Sequence, residues 1–432
     1  MSLYFSTMNV NTTAYDTIKA FFDKNLNIDK SLFKTSNDEP TPIGCIEEIL
    51  SKVPTSFWIK PDLKILDPCC GNGNWHFVVL DLIRRASHRS VEDILSSFYF
   101  NDVNEDRLEQ VQKLFGTPEC DLNITNNDFL TTEDDQMYDL IMANPPYARL
   151  QGDGSRASKN HTLIRDFIKR ALTLLNDNGY MAFLVPNNWM SLADRNDVVK
   201  ELSRYQFVWL NIHGAKKWFP KIGSSFTWFV LQKSKGTLPY AVECLYRGEN
   251  EISQVRSQER SYIPLIYNKY VQSILQRTIE DDTFPKFKVE TSSDLHKYTK
   301  KDLINSEICD TFKYRLIHTP KQTVYSVRPH KYQDGYKVFI STTDKYSTFV
   351  DECGMTQSIA FIRCDSMTES NDTKKILDHD LYRFLNNICR WGNFNNIRIL
   401  QKFPIPKNPE DIYGSFNINE DEQVFITNFL SK

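Results

Sequence analysis

Four consecutive residues carry the clearest chemistry in this sequence. Asn144-Pro145-Pro146-Tyr147 follows the apolar run Tyr138-Asp139-Leu140-Ile141-Met142-Ala143. An exposed amide, two rigid prolines that aim a backbone carbonyl, and an aromatic ring suit the holding of a planar group with a weakly nucleophilic amino nitrogen, as in adenine, cytosine or a glutamine amide. The lone pair of such a nitrogen is delocalised and must be localised before it attacks. Asn144 through its side-chain oxygen and Pro145 through its carbonyl can accept both amino hydrogens and draw the nitrogen toward tetrahedral geometry, while Tyr147 stacks on the ring. The plainer alternative is a strand that ends in a proline-rich turn.

The elements that would position this tetrapeptide are legible upstream. Leu63-Lys64-Ile65-Leu66 reads as a short buried strand that runs into Asp67-Pro68-Cys69-Cys70-Gly71-Asn72-Gly73-Asn74, and the apolar stretch Trp75 to Ile83 reads as a helix. Gly71 and Gly73 let the backbone pass close to a ligand, and the helix start offers free N–H groups. The three-glycine dinucleotide pattern is missing, and so is the lysine-serine or lysine-threonine pair of a nucleoside triphosphate site.

Phe98-Tyr99-Phe100-Asn101-Asp102-Val103-Asn104 is a second strand whose terminal carboxylate, Asp102, can accept from both hydroxyls of a ribose. A third strand ends at Asn127-Asp128-Phe129 and a fourth at Asn144. Singly, Asp102 and Asp128 read as turn or cap residues, but four polar strand ends at one edge read as a binding site. Downstream, Thr162 to Leu175 is a helix stopped by Asn176-Asp177-Asn178-Gly179. Tyr180 to Pro186 is a buried strand, Val198 to Tyr205 a short helix, and Phe207 to Ile212 with Phe226 to Leu231 a closing strand pair.

In this motif order, over roughly residues 38 to 235, the chain resembles the amino-methyltransferases that use S-adenosylmethionine and, among them, the gamma-class adenine-N6 DNA methyltransferases. The resemblance begins at Glu39-Pro40-Thr41-Pro42-Ile43-Gly44, which looks like the Thr-Pro segment that this class places ahead of its nucleotide-binding core. It implies a Rossmann-like class I methyltransferase sheet of seven strands, one antiparallel, with cofactor and target meeting at the carboxyl ends of the strands. It places Thr41 near the methionine carboxylate, and Asp67, Cys69, Gly71 and Gly73 in the loop under the methionine and ribose. Asp102 would hold the ribose hydroxyls, Asp128 the cofactor's adenine amine, and Val103 and Phe129 the two faces of the adenine ring. Asn144, Pro145, Pro146 and Tyr147 match the catalytic tetrapeptide. Phe219, in Phe219-Pro220-Lys221-Ile222-Gly223-Ser224-Ser225, matches the phenylalanine that packs against a flipped target base, with Phe226 as its competitor.

Bulk properties agree with this resemblance without producing it. A chain of 432 residues with a net charge of −3 suits two domains and no general polyanion clamp. Met1 to Ser6 lacks a signal pattern, and no apolar run approaches the roughly twenty residues that span a bilayer, so a cytoplasmic location is expected, or the host's cytoplasm or nucleoid were the chain viral. The nine cysteines show no CxxC pairing and no histidine companions, so they are expected as reduced thiols, with no metal site. Methyl transfer from a sulfonium needs none.

The polar loop Arg149 to His161 beside the tetrapeptide is either a flap over DNA or a linker. Composition changes at Lys233-Ser234-Lys235-Gly236, which divides the expected catalytic domain, 1–235, from a C-terminal mixed α+β target-recognition domain, 236–432. From Thr311 to Lys345 there are seven Lys or Arg against two Asp or Glu, interleaved with aromatics. Arg315, Lys321 and Arg328 are therefore the expected DNA contacts, against the plainer reading of a half-buried sheet with a charged outer face. A second candidate is the loop from Arg390 to Arg398. The expected partner is double-stranded DNA, read by a monomer, and a cognate restriction endonuclease is left open. The alternatives are an RNA or protein-glutamine amino-methyltransferase, or an inactive DNA-binding homologue.

Overall fold

Short, fully buried apolar runs form the centre of the first sheet. The computed structural model describes residues 8–28, 39–118, 120–133, 135–147, 162–193, 196–220, 225–343, 345–392 and 394–431. The opening Met1 to Ser6, the loop Arg149 to His161, Lys221 to Ser224 of the Phe219 segment, Asp344 of the basic stretch and Asn393 of the Arg390 loop lie outside the described residues.

Nine strands make one sheet: β1 (Ile65–Asp67), β2 (Phe98–Asn101), β3 (Asn123–Thr125), β4 (Tyr138–Ala143), β5 (Leu175–Pro186), β6 (Tyr205–Asn211), β7 (Phe226–Lys235), β8 (Tyr240–Tyr246) and β9 (Glu249–Val255). Their order is β3-β2-β1-β4-β5-β7-β6-β8-β9. The first five pair in parallel, β7 lies antiparallel between β5 and β6, and β8 returns to the parallel direction. Parallel pairing of β3, β2, β1 and β4 brings the residues that follow each of them to one edge of the sheet. Asp102 and Asn144 come directly after β2 and β4, and Asp67 ends β1.

The helices that flank this edge are α1 (Tyr15–Phe21), α2 (Ile43–Leu50), α3 (Asn74–Ala86), α4 (Glu105–Phe115) and α5 (Thr162–Leu174). Gly73 turns the chain from the loop into α3 with φ 83°, a backbone conformation open to glycine at little cost. A Cβ there would stand 2.6 Å from the Phe115 ring, so the second glycine is also what lets the end of α4 pack against the loop. Phe115 is wedged against Phe100 at 5.2 Å, and His76 of α3 lies between Phe98 and Phe100. Burial holds this imidazole neutral, with its pKa lowered to about 3, so it is a core residue.

The sheet has nine strands where seven were expected. Tyr240–Tyr246 continues the sheet beside β6, and β9 folds back on it through Arg247 and Gly248, both at positive φ (54° and 85°) as a two-residue primed turn requires. The composition change at Lys235 therefore marks a more polar edge of the same sheet rather than its end. Among the described residues, 8–189 and 197–261 form one compact unit, and 190–196 with 262–431 form a second.

The second unit contains two four-stranded sheets. One runs β10-β17-β14-β15 and the other β11-β13-β12-β16. The strands are β10 (Glu290–Thr291), β11 (Ile304–Asn305), β12 (Tyr314–Thr319), β13 (Gln322–Ser326), β14 (Lys337–Ser341), β15 (Thr348–Asp351), β16 (Gly354–Met355) and β17 (Ile359–Arg363). Helices Met367–Leu377, Asp380–Ile388 and Glu420–Leu430 follow. Among the described residues, no helix is long and apolar enough to cross a membrane.

Candidate active site

A pocket opens at the carboxyl edge of β1 and β4. One wall is the loop after β1, with Cys69, Gly71 and Asn72. A second is Glu39-Pro40-Thr41, which precedes α2, and Asn144 and Arg107 complete the lining with Trp75.

The loop is held from below by carboxylates. The N–H of Cys69 donates to Asp67 Oδ1 at 3.0 Å, and the N–H of Gly71 donates to Asp102 Oδ2 at 2.9 Å. Asp102 Oδ1 accepts from the N–H of Asn104 at 2.9 Å. Asn104 in turn caps α4 by accepting from Asp106 N. Asp67 is fully buried and its Oδ2 has no hydrogen-bond partner. Burial raises its pKa to about 8, and the nearby Asp102 adds to the rise while the Cys69 N–H opposes it. Asn72 Oδ1, on the pocket wall, is also buried without a partner. The two orphaned oxygens lie in one loop, and a ligand that brings donors would meet both once the Asp67 carboxyl gives up its proton.

Asn74, the first residue of α3, donates through Nδ2 to the Thr41 carbonyl at 2.8 Å and to Asn27 Oδ1 at 2.9 Å. These bonds fix the Thr-Pro segment against the loop. The same segment reaches the tetrapeptide, where Asn144 Nδ2 donates to the Glu39 carbonyl at 3.2 Å. Cys69 Sγ lies 3.6 Å from the Asn144 carbonyl oxygen, so loop and tetrapeptide touch directly. Asn144 is half-buried, Pro145 is buried and Pro146 is exposed. Tyr147 OH donates to Asn144 Oδ1. Its ring packs on Phe226 at 5.5 Å, and Phe226 on Phe219 at 5.1 Å. Tyr147 thus meets Phe226, and Phe219 packs against Phe226 in turn.

At the far side of the edge, Val103 is 59% exposed while Phe129 is buried against Phe167 of α5 at 5.3 Å. Asp128 is exposed and its Oδ1 accepts from the N–H of Leu130, the bond of a turn residue. Of the residues singled out in the sequence, Thr41, Cys69, Gly71 and Asn144 thus meet on the pocket wall, with Asp67 and Asp102 directly behind it. Arg107 escaped that reading although Asn104, a helix cap, already places it in the first turn of α4 and on the loop side.

In the second unit the expected DNA contacts are differently placed. Arg315 grips Asp351 at 2.8 Å and 3.3 Å, and Arg328 grips Asp294 at 2.7 Å and 3.3 Å. Lys321 is exposed in the turn between β12 and β13. Lys337, counted in the basic stretch, is buried and donates to the carbonyls of Asp334, Gly335 and Glu352. In the second candidate loop, Trp391 donates to the Ile263 carbonyl, Asn395 to Ser341 and Asn396 to Leu192, all within this unit, while Phe394 is exposed. Ser292 and His330, 2.9 Å apart beside Asp294, have the outline of a hydrolytic dyad. His330 Nδ1, however, accepts from the Tyr332 N–H, so Nε2 carries the proton and cannot take one from the serine.

Comparison with known proteins bears on the first unit. Residues 57–213 match the family model of the Eco57I restriction-modification methylase. Over 208 residues the chain is 26% identical to "Type II methyltransferase M.VspI" of Vibrio sp. (strain 343), an alignment covering 45% of this chain and 48% of that protein. Over 195 residues it is 23% identical to an "Uncharacterized adenine-specific methylase" of Mycoplasma pneumoniae, covering 42% and 44%. The matches thus span about half the length of these relatives. Among solved structures, the "ATP-dependent Type ISP restriction-modification enzyme LlaBIII bound to DNA" shares the fold over 96% of this chain and 41% of its own, with a TM-score of 0.51 and 12% identity. Residues 57–213, the segment that carries β1 to β6, the Asp67–Asn74 loop and the Asn-Pro-Pro-Tyr tetrapeptide, are thus similar to the Eco57I restriction-modification methylases.

Proposed function

We propose that the chain is a site-specific DNA adenine-N6 methyltransferase that draws its methyl group from S-adenosylmethionine. One observation carries this reading: Asn144 and the loop residues Cys69 to Asn72 line the same pocket. An acceptor pair for an amino group thereby stands beside a site whose orphaned oxygens, Asp67 Oδ2 and Asn72 Oδ1, suit a ligand bearing an ammonium. When bound, the cofactor supplies an electrophilic methyl on a sulfonium, whose leaving group is neutral.

The residues of this chain do the rest. Asp67 and Asn72 would hold the amino-acid end, Asp102 the ribose and the exposed Val103 one face of the adenine ring. The amino group of a paired adenine is out of reach inside a duplex, so the nucleotide must leave the stack. Tyr147 would stack on it, backed by Phe226 and Phe219, while Asn144 Oδ1 and the Pro145 carbonyl accept its amino hydrogens. These bonds strengthen as the nitrogen loses planarity, and that difference is the catalytic contribution. Deprotonation follows transfer, so no general base is assigned. Recognition of the DNA is assigned to the second unit. There Arg315, Lys321 and Arg328 are the candidates for phosphate, and the two arginines would have to give up a carboxylate.

The test is incubation with isotopically labelled S-adenosylmethionine and duplex DNA, followed by base-resolved mapping. N6-methyladenine at one sequence context is expected. Label on cytosine, on RNA alone, or on neither nucleic acid would overturn the reading.

Tyr147 gives a narrower check, because its hydroxyl occupies the very oxygen that the amine needs. Tyr147→Phe keeps the stacking ring and removes the competitor, so the single-turnover rate should stay within about threefold of wild type or rise. Tyr147→Ala loses base stacking worth roughly 1–3 kcal/mol and should slow turnover or weaken DNA binding by about tenfold or more. A Phe variant as defective as the Ala variant would give the hydroxyl, not the ring, the main role.

A further inference from the structure

The Glu39-Pro40-Thr41 wall of the pocket runs directly into α2, and that helix also grips the segment that carries Phe219. Gly44, in the first turn of α2, lies against the indole of Trp218: a Cβ there would stand 2.5 Å from Cη2 and 2.7 Å from Cζ3. One turn further along, Glu48 Oε2 accepts from the indole Nε1–H at 2.8 Å. The same oxygen lies 2.8 Å from Lys217 Nζ. Gly44 and Glu48 are four residues apart and share a face of the helix, so the indole is fixed at two points along it.

Trp218 immediately precedes Phe219, whose ring meets Phe226 at 5.1 Å, and Phe226 meets Tyr147 at 5.5 Å. Tyr147 donates to Asn144, and Asn144 Nδ2 donates back to the Glu39 carbonyl at 3.2 Å. The contacts thus run in a closed loop, from the pocket wall through α2 and Trp218 to the three rings, and through Asn144 to the wall again. A half-buried indole seeks a partner for its N–H in any protein. Its place in this loop is what gives the bond a consequence for the reaction.

We propose that Trp218 is a positioning residue for methyl transfer: held on α2 by Gly44 and Glu48, it fixes the Phe219, Phe226 and Tyr147 rings relative to the pocket wall, and with them the distance from target amine to methyl donor. The inference rests on the reading of the chain as an adenine methyltransferase and deepens it. Trp218 does not line the pocket and acts through Phe219. A misplacement of about 1 Å can cost on the order of a hundredfold in rate, so a residue remote from the chemistry can still set it.

Single-turnover methylation by the full chain, at saturating S-adenosylmethionine and duplex DNA, is measured beside calorimetric affinity for S-adenosylhomocysteine and the thermal midpoint. Trp218→Phe keeps a ring but loses the N–H and the reach to Gly44; it should slow the step by roughly tenfold or more while cofactor affinity stays within about threefold. Gly44→Ala, a favourable exchange for a helix by itself, displaces the indole and should slow the step by a similar factor, about tenfold. The two changes together should be no slower than Trp218→Phe alone, because the shorter ring leaves room for the methyl group. Glu48→Gln keeps an acceptor for the indole and should retain a rate within about threefold of wild type, whereas Glu48→Leu should resemble Trp218→Phe. Wild-type rates for both Trp218→Phe and Gly44→Ala would overturn the proposal. So would multiplied losses in the double variant, or a rate that falls only in step with cofactor affinity and thermal midpoint, the mark of a purely structural residue. A wild-type chain that transfers no methyl to adenine in DNA would instead overturn the reading on which the proposal rests.

Discussion

Asn144→Ala should lower the methylation rate constant by two orders of magnitude or more, on the order of 3 kcal/mol of transition-state stabilisation. The residue supplies the side-chain oxygen at the proposed amine site, and a methyl group cannot replace an acceptor whose bond strengthens during the reaction. The same side chain also ties the tetrapeptide to Glu39 through Nδ2 at 3.2 Å, so a second effect must be kept apart from the first. That bond is made in the ground state, and its loss should appear mainly in cofactor affinity, because Glu39 and Asn144 both line the pocket. Single-turnover rates at saturating cofactor and DNA isolate the chemical step. A purified Ala variant that methylates at near wild-type rate under those conditions would sink the assignment of Asn144.

How far the site was legible in the sequence depended on how local its parts are. A strand, the turn after it and the next helix are neighbours in the chain, so the β1 loop and the polar residue after β2 and β4 were readable from the apolar runs and the glycines. Parallel pairing then gathers them at one edge without further information. Edge strands offered no such help. Tyr240–Tyr246 and Glu249–Val255 look like a separate, more polar region until their pairing beside β6 and through the Arg247-Gly248 turn is seen.

Side-chain pairing was the least legible feature. Arg315 and Asp351 are 36 residues apart, as Arg328 and Asp294 are 34 apart, and no spacing rule links such partners. A basic stretch therefore looked more available to phosphate than it is. The choice between Phe219 and Phe226 was hidden for a related reason, since both are buried aromatics and only their order of contact on Tyr147 distinguishes them.

Asp67→Asn should have opposite effects on the free protein and on its complex. In the free protein the carboxyl is buried and its pKa is raised to about 8, against about 3.9 in an unfolded chain. A raised pKa means that the folded state holds the proton over this interval and the unfolded state does not. The stabilisation is therefore fully present below about pH 4 and is lost as pH rises through about 8, by up to about 1.4 kcal/mol for each unit. The amide of the variant is neutral throughout, so the variant should match wild type near pH 4 and exceed it in unfolding free energy at about pH 8.5. In the complex the sign reverses, because a bound ammonium favours the carboxylate and must expel its proton. Wild-type affinity for S-adenosylhomocysteine should accordingly rise between about pH 6 and 8 with release of a proton, read by calorimetry in buffers of different ionisation enthalpy, and level off where the ligand's own amine begins to titrate, near pH 8. The Asn variant should release no proton and should bind at least about 3 kcal/mol more weakly, as expected when one partner of a buried charge pair is removed. Flat wild-type affinity across that range, or an Asn variant that binds normally, would place the ammonium away from Asp67 and leave the buried carboxyl as a purely structural support for the Cys69 N–H.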